Sequence, residues 1–216
     1  MALINDVTFH NTKYVNNNAG NGFIVNVKGK VYAITAKHIL MSVKTNKMES
    51  VDFSGELKQW KMFDRDNASN YLIVDKLINA NKNEKLEWDT LENDWIVFSI
   101  KDNKTENTPL KFRAKPLVKG EKLYVVGWAY QDKEAPQRTY EFEFDKTEDN
   151  LHTLIQIRGP ESLSGLSGSA IVDKQSRVVG LVSNCWQDED SKTVYLQASR
   201  ASDVQKFIEN YSLISK

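Results

Sequence analysis

The sequence predicts an all-β fold, a barrel or a sandwich, with one clear helix near the C-terminus. In most patterned segments apolar and polar residues alternate with a two-residue period, as in strands that bury one face. Polar turns separate these segments at short intervals, which is typical of antiparallel sheets and unlike the long crossovers of βαβ units. A clear helical period occurs only near the end of the chain.

The first predicted strands form a hairpin. Alternating segments at 22–27 and 31–36 flank a Lys28-Gly29-Lys30 turn, where glycine suits the positive φ of a tight hairpin. Further strands are predicted at residues 70–74, 95–100, 122–128, 138–144, 151–157, 169–173, 178–184 and 193–198. The segment 75–92, rich in Asn, Lys and Glu, is predicted to be a long connection.

One C-terminal helix is predicted over residues 202–211. Val204, Phe207 and Ile208 share one face of it at helical spacing. A short helical turn is also predicted at 37–41.

The composition excludes several function classes. The chain has 216 residues, 40% of them hydrophobic, which suits one or two domains with a buried core. Lys plus Arg number 29, and so do Asp plus Glu. Because the sequence has neither an excess of basic residues nor a basic stripe, no nucleic-acid partner is predicted. No apolar run approaches the roughly 18 residues of a membrane span, so no membrane association is expected.

The N-terminal sequence and the cysteine content predict a cytoplasmic protein. The segment MALINDVTFH carries Asp6 and lacks the cationic and apolar regions of a signal peptide. Cys185 is the single cysteine, so no intramolecular disulfide can form. Both observations favour a reducing compartment. Export by a route that needs no signal peptide stays open as an alternative.

The segment 164–173 has the composition of a nucleophile loop. Gly165 and Gly168 flank Ser167 and allow the tight backbone that directs a hydroxyl and several N–H groups to one point. An apolar β run follows directly. Taken alone, this pattern fits an ordinary Gly/Ser turn equally well.

Amide hydrolysis by a serine hydroxyl also needs a base and a carboxylate that orients the base. His38 follows a predicted strand, where its side chain can face a cleft, and Asp94 opens an apolar strand. His10 and His152 lack such a setting and are predicted to be structural or surface residues. Because no histidine has neighbours at metal-ligand spacing, no metal or other cofactor is predicted.

Six short motifs give the chain a resemblance to the trypsin-like serine protease family, in its intracellular, bacterial type. Three carry the candidate residues: T-A-K-H at 35–38, D-W-I-V at 94–97 and G-L-S-G-S-A at 165–170. Three more lie between or beyond them: G-N-G-F-I-V at 20–25, V-V-G-W-A at 125–129 and V-G-L-V-S at 179–183. Their order along nearly the whole chain resembles that of the family.

The resemblance implies a chymotrypsin-like fold of two antiparallel six-stranded β-barrels, with a C-terminal α-helix. The first barrel, residues 1–112, would carry His38 and Asp94. The second, residues 113–216, would carry Ser167 and the terminal helix.

The resemblance also implies the role of each site residue. Ser167 would be the nucleophile, His38 the base and Asp94 the residue that orients the base. The backbone N–H groups of Gly165 and Ser167 would form the oxyanion hole, and the Ser183 hydroxyl would support Asp94.

A protein or peptide substrate follows from the same resemblance. Asn184 and Cys185 would pair with the substrate backbone as an added strand. Glu161 falls near the position that sets which substrate side chain the family members prefer, and an acid there would favour Lys or Arg in the substrate. The preferred interpretation is nevertheless that Glu161 is an exposed surface residue. Cys185 is predicted to be a small, half-buried thiol and not a nucleophile.

Leu166 departs from the family pattern. The digestive members carry at this position an Asp that pairs with a newly cut N-terminus, and Leu cannot form that ion pair. Activation by such cleavage is therefore not expected. The nucleophile loop therefore lacks the internal brace that this ion pair would supply, which leaves an activating protein partner open.

Three functions remain in competition at this point. The first is a serine endopeptidase that works through an acyl-enzyme. The second is a protease-like binding or sensor module that uses the cleft for recognition without constitutive hydrolysis. The third is a protease held inactive until a partner orders the loop around Gly165.

Overall fold

Two β-barrels form the body of the protein. The computed structural model describes residues 2–88, 93–132 and 138–214. In the first half of the chain the elements are β1 Leu3–Phe9, β2 Val15–Val27, β3 Lys30–Thr35, α1 Ile39–Val43, β4 Ser50–Val51, β5 Leu57–Phe63, β6 Tyr71–Leu77, β7 Asn81–Lys85 and β8 Ile96–Asn103. Six of these strands close an antiparallel barrel in the order β1-β2-β3-β8-β6-β5, and β4 pairs separately with β7.

The second barrel is built from the second half of the chain. Its elements are β9 Lys111–Phe112, β10 Lys122–Gly127, β11 Arg138–Glu148, β12 Leu151–Arg158, β13 Ala170–Val172, β14 Arg177–Gln187, β15 Val194–Arg200 and α2 Ala201–Ile214. The order β13-β10-β11-β12-β15-β14 closes through the β13–β14 pairing, and β9 adds a parallel strand beside β14. The predicted pair of six-stranded antiparallel barrels is confirmed.

Each barrel has its own apolar interior. In the first barrel the Trp60 and Phe98 rings lie 5.0 Å apart, and both side chains are buried. The buried Trp60 indole donates a hydrogen bond of 2.9 Å to Asn5 Oδ1, which satisfies its one polar group. In the second barrel Phe142 and Leu123 belong to a separate buried cluster.

The C-terminal helix packs against the first barrel as well as the second. Its Val204 and Ile208 are buried in the same apolar cluster as Trp60 and Phe98. The Tyr32 hydroxyl of β3 lies 3.0 Å from Ser212 Oγ near the end of α2. The helix therefore links the two halves of the chain.

Several predicted elements are confirmed with small changes in their bounds. The hairpin forms from β2 and β3, and Gly29 has the expected positive φ of 84°. The predicted C-terminal helix at 202–211 is α2, which extends further at both ends. The helical turn predicted at 37–41 is α1, two residues later. The division of domains between residues 112 and 113 stays a prediction.

The predicted connection over 75–92 is wrong for part of its length. β6 continues to Leu77, and β7 occupies Asn81–Lys85. β7 is mostly exposed and pairs with the two-residue strand β4, so its residues need no apolar alternation. Residues 89–92 of the segment lie outside the described residues.

A substitution in α2 measures how much the helix contributes to stability. Ile208→Ala removes a fully buried side chain, and we expect the free energy of unfolding to fall by about 2–5 kcal/mol. Leu213→Ala, in the same helix at 66% exposure, is the matched control and should stay within about 0.5 kcal/mol of the wild type. Urea unfolding followed by tryptophan fluorescence compares the variants, and equal losses would contradict the docking of α2.

Candidate active site

His38, Asp94 and Ser167 meet in the cleft between the barrels. His38 lies at the start of α1, just after β3, and its Nδ1 lies 2.7 Å from Asp94 Oδ2. Its backbone N–H donates a second hydrogen bond of 2.7 Å to Asp94 Oδ1. The other ring nitrogen, Nε2, lies 2.7 Å from Ser167 Oγ. Because the carboxylate accepts at Nδ1, this arrangement leaves Nε2 unprotonated and able to accept the serine proton.

The Asp94 carboxylate is largely enclosed, with 15% of its side chain exposed. It precedes β8 in the first barrel, while the Ser183 hydroxyl that also donates to its Oδ2 belongs to β14 of the second. Burial by itself would raise the pKa of Asp94, but the hydrogen bonds from His38 and Ser183 outweigh burial and lower it. When His38 is protonated, its positive charge lowers the pKa of Asp94 further. The carboxylate therefore stays ionised behind the imidazole.

Ser167 lies in the loop between β12 and β13. A tight turn shapes this loop, because the Leu166 N–H donates to Leu163 O at 3.0 Å and the Ser169 N–H to Leu166 O at 2.8 Å. Gly168 has a φ of 78°, and a Cβ there would lie 2.3 Å from a backbone oxygen of β2. A glycine is therefore required directly after Ser167.

The peptide unit between Ser164 and Gly165 is held in one orientation. Gly165 has a φ of 93°, and the carbonyl preceding it, Ser164 O, accepts a hydrogen bond of 2.8 Å from the Tyr130 N–H. In a trans peptide the N–H points opposite to the C=O, so the Gly165 N–H is directed away from Tyr130. Among the residues that the structure describes, neither the Gly165 nor the Ser167 N–H donates a hydrogen bond.

Leu166 anchors the loop in the second barrel. Its side chain is fully buried in that barrel's apolar cluster. A hydrophobic contact therefore lies where the resemblance implies an ion pair in the digestive members of the family.

The cleft that contains these groups has a volume of about 460 Å³. Asn184 and Cys185 of β14 line it, and their contact with substrate stays a prediction. Glu161 is exposed and does not line the cleft, in agreement with the preferred interpretation of an exposed Glu.

Cys185 is exposed as a residue on β14, but its sulfur is partly packed, which agrees with the predicted half-buried thiol. The strand continues beyond the barrel wall at this point, and residues 184–187 are all exposed. Packing around the sulfur still raises the pKa of Cys185 by desolvation, which makes the thiolate less available.

Trp88 is a cleft residue that the sequence interpretation missed. Its ring stacks on His38 with centroids 5.8 Å apart and an interplanar angle of 30°, while 65% of the residue remains exposed. Trp88 lies in the segment that was predicted to be a plain connection. The presence of a tryptophan within that polar segment was the one feature of the sequence that could have indicated a role in the cleft.

The other two histidines lie outside the site. His10 is exposed, and His152 lies near the start of β12. His152 packs edge-on against Phe144 at 5.5 Å and hydrogen-bonds Thr147 Oγ1 at 2.8 Å. Burial and then the charge of Arg200 lower its pKa from 6.5 to about 4.

Two further properties concern only residues 2–88, 93–132 and 138–214. Within them, no three His, Cys, Asp or Glu side chains lie close enough to hold a metal ion. No helix in the same ranges is both long and apolar enough to span a membrane.

Comparison with known sequences assigns the family. The sequence model of the trypsin-like peptidase domain matches residues 20–181, a span that contains His38, Asp94 and Ser167. The chain belongs to the trypsin-like peptidase family. It is therefore a serine endopeptidase of the trypsin-like type, and its substrates are proteins or peptides. No curated protein matches the sequence.

Solved protease structures share the fold of this endopeptidase at low sequence identity. The active form of the Rv3671c protease from M. tuberculosis has a TM-score of 0.59 and 14% identity, covering 94% of this chain and 77% of that one. Its inactive form has a TM-score of 0.57 and 12% identity, covering 96% and 88%. The serine endoprotease from Yersinia pestis has a TM-score of 0.60 and 15% identity, covering 97% and 62%.

The lowered pKa of His152 predicts a loss of stability in mild acid. Below its ordinary pKa of 6.5 the unfolded chain binds a proton that the folded protein does not bind until about pH 4. The free energy of unfolding should therefore fall as the pH drops from about 6.5 to about 4. We expect His152→Gln to lose less stability between pH 7.5 and pH 4.5 than the wild type does. Thermal unfolding at both pH values measures this, and parallel losses would contradict it.

Proposed function

We propose that the endopeptidase cleaves its substrates through an acyl-enzyme formed on Ser167, with His38 as general base and Asp94 as the group that orients it. The observation that carries the proposal is the continuous chain of contacts from Asp94 Oδ2 through the His38 ring to Ser167 Oγ, each 2.7 Å long. These distances lie within the range for proton transfer between a nucleophile and its base.

The reaction begins when Ser167 Oγ attacks the scissile carbonyl carbon and its proton moves to His38 Nε2. Asp94, held ionised by its hydrogen bonds, compensates the positive charge of the imidazolium. The tetrahedral intermediate collapses when His38 gives its proton to the leaving amine nitrogen and the C–N bond breaks. Water then attacks the ester, with His38 again taking and returning a proton, and the product acid leaves Ser167 free.

The negative oxygen of the tetrahedral intermediates needs preorganised donors. The N–H groups of Gly165 and Ser167 meet this need, because none of the described hydrogen bonds uses them. In an inverted loop the Ser164 carbonyl would turn toward Ser167. Its hydrogen bond to the Tyr130 N–H supports the opposite orientation.

The substrate backbone would bind along β14 beside the cleft. Asn184 and Cys185 are exposed there and line the cleft next to the site. An extended peptide can add to such a strand through main-chain hydrogen bonds. Glu161 lies outside the cleft lining, so nothing in the geometry favours a basic side chain at the cleaved bond.

Activity without a partner is part of the proposal. The contacts between His38, Asp94 and Ser167 are formed within this single chain, and buried Leu166 holds the loop without a cut N-terminus. These features favour an enzyme that is active by itself. They argue against a binding or sensor module without hydrolysis, and against a protease that stays inactive until a partner orders the loop. The cytoplasmic location stays a prediction of the sequence.

Ser167→Ala tests the proposed nucleophile. The variant keeps the fold but lacks the attacking hydroxyl, so we expect cleavage of a denatured protein substrate to fall by at least about 10⁴-fold. Labelling by a fluorophosphonate probe should disappear in the same variant. Mass spectrometry of the cleaved and labelled products measures both.

Ser191→Ala is the matched control, since Ser191 is an exposed serine at the tip of the β14–β15 hairpin. It should label and cleave at the wild-type rate. A folded wild-type protein that neither labels nor cleaves would contradict the proposed function.

A further inference from the structure

Asn21 connects the first barrel to the loop that carries Ser167. It lies on β2 and is 1% exposed. A buried amide must find partners for its donors and its acceptor, because leaving them unpaired costs stability. All of the hydrogen bonds of its side chain go to the backbone of the second barrel and its loops.

Two of these hydrogen bonds hold the backbone of Trp128. Asn21 Nδ2 donates to Trp128 O at 3.2 Å, and Trp128 N–H donates to Asn21 Oδ1 at 3.2 Å. The amide thus pairs with one residue of the other barrel as a neighbouring strand would. This pairing also fixes which end of the amide carries the NH₂ group.

The third hydrogen bond reaches the nucleophile loop. Asn21 Nδ2 donates to Gly165 O at 2.6 Å, and the backbone N–H of Asn21 donates to Ser167 O at 2.8 Å. The two carbonyls so held are those of Gly165 and Ser167, the residues whose N–H groups form the proposed oxyanion hole. Holding both carbonyls restricts rotation of the peptide units 165–166 and 167–168. These units adjoin the units 164–165 and 166–167, which carry the Gly165 and Ser167 N–H groups.

The close approach of β2 to this loop depends on glycines. A Cβ at Gly20 would lie 2.8 Å from Ser167 O, and a Cβ at Gly168 would lie 2.3 Å from Asn21 O. Gly20 and Gly168 have positive φ angles of 65° and 78°. The chain therefore brings β2 and the loop close enough for direct backbone contact at Asn21.

These contacts hold the loop in a way that differs from the ion pair of the digestive proteases. Leu166 cannot form an ion pair, but the loop is held by a neutral amide from the first barrel. A neutral brace needs no newly cut N-terminus and does not titrate.

We propose that Asn21 is the positioning residue that holds the oxyanion loop, residues 163–168, in its catalytic conformation. The inference rests on the proposed function, since it assigns to Asn21 the support of the donors used there. Asn21 acts through Gly165 and Ser167 and does not itself touch the substrate. Because the amide comes from the first barrel, the loop adopts this conformation only when the two barrels are docked.

Asn21→Ala provides the main test. The variant keeps the backbone hydrogen bond to Ser167 O and loses the amide contacts to Gly165 and Trp128. We expect kcat for peptide hydrolysis and the rate of fluorophosphonate labelling to fall by about 10²-fold, the effect of a lost oxyanion donor. KM should change by less than about threefold, since the groups that bind substrate along β14 are untouched.

A transition-state analogue separates positioning from general loosening of the fold. A peptide aldehyde adds to Ser167 and places an oxyanion in the loop, whereas the product peptide acid places no such tetrahedral oxygen there. Asn21→Ala should weaken aldehyde inhibition by about as much as it lowers kcat, and should leave inhibition by the product within about threefold. An equal loss for both ligands would overturn the proposal.

Asn70→Ala is the matched control. Asn70 is also a buried asparagine of the first barrel, 5% exposed, and its side chain bonds Asp64 and the Glu106 N–H and not the loop. This variant should label within about twofold of the wild-type rate even if it unfolds more easily. A comparable loss of labelling in Asn70→Ala would overturn the specific role of Asn21.

A second variant covers the case in which Asn21→Ala does not fold. Asn21→Ser is small and polar, but its hydroxyl is too short to reach both Gly165 and Trp128, and the same expectations apply to it. Wild-type rates in a folded variant would overturn the proposal. An unlabelled wild type would instead overturn the proposed function, and the role of Asn21 with it.

Discussion

The Asp94 carboxylate lies at the junction of the two barrels and accepts hydrogen bonds from both of them. His38 approaches it from the first barrel through its ring and its backbone, and Ser183 from the second through its hydroxyl. An enclosed carboxylate is costly unless its oxygens are bonded, so the site is stable only when the barrels are docked. The same docking puts Ser167 within reach of His38, which makes the inter-barrel contact the constraint on which the chemistry depends.

The loop that carries Ser167 is held by two different kinds of interaction. Leu166 anchors it from within the second barrel by apolar burial, and Asn21 holds its carbonyls from the first barrel by hydrogen bonds. Apolar burial is not directional, whereas hydrogen bonds fix the orientation of peptide groups. The combination explains how a chain without the ion pair of the digestive proteases can keep its donors oriented.

Much of the fold could be predicted, and the missed strands share a physical reason. The β2–β3 hairpin was predictable because Gly29 in a short polar turn between two apolar segments is a local signal. In β1 the alternation is broken at Asn5, a buried polar residue whose partners, such as Trp60, lie far away in the sequence. β7 is mostly exposed and polar, so its sequence shows no alternation of apolar and polar residues. A strand whose pairing is set by distant partners has no signature within its own segment.

The sequence by itself determined the family and the residues of the candidate triad, because glycines, a serine and the ends of strands impose local requirements that short motifs record. Tertiary structure alone decided which side chains meet. The contact between Asn21 and Gly165 joins residues 144 positions apart. The stacking of Trp88 on His38 joins residues that the elements α1 to β7 separate in the sequence. Such contacts follow from packing over the whole chain, which no local pattern encodes.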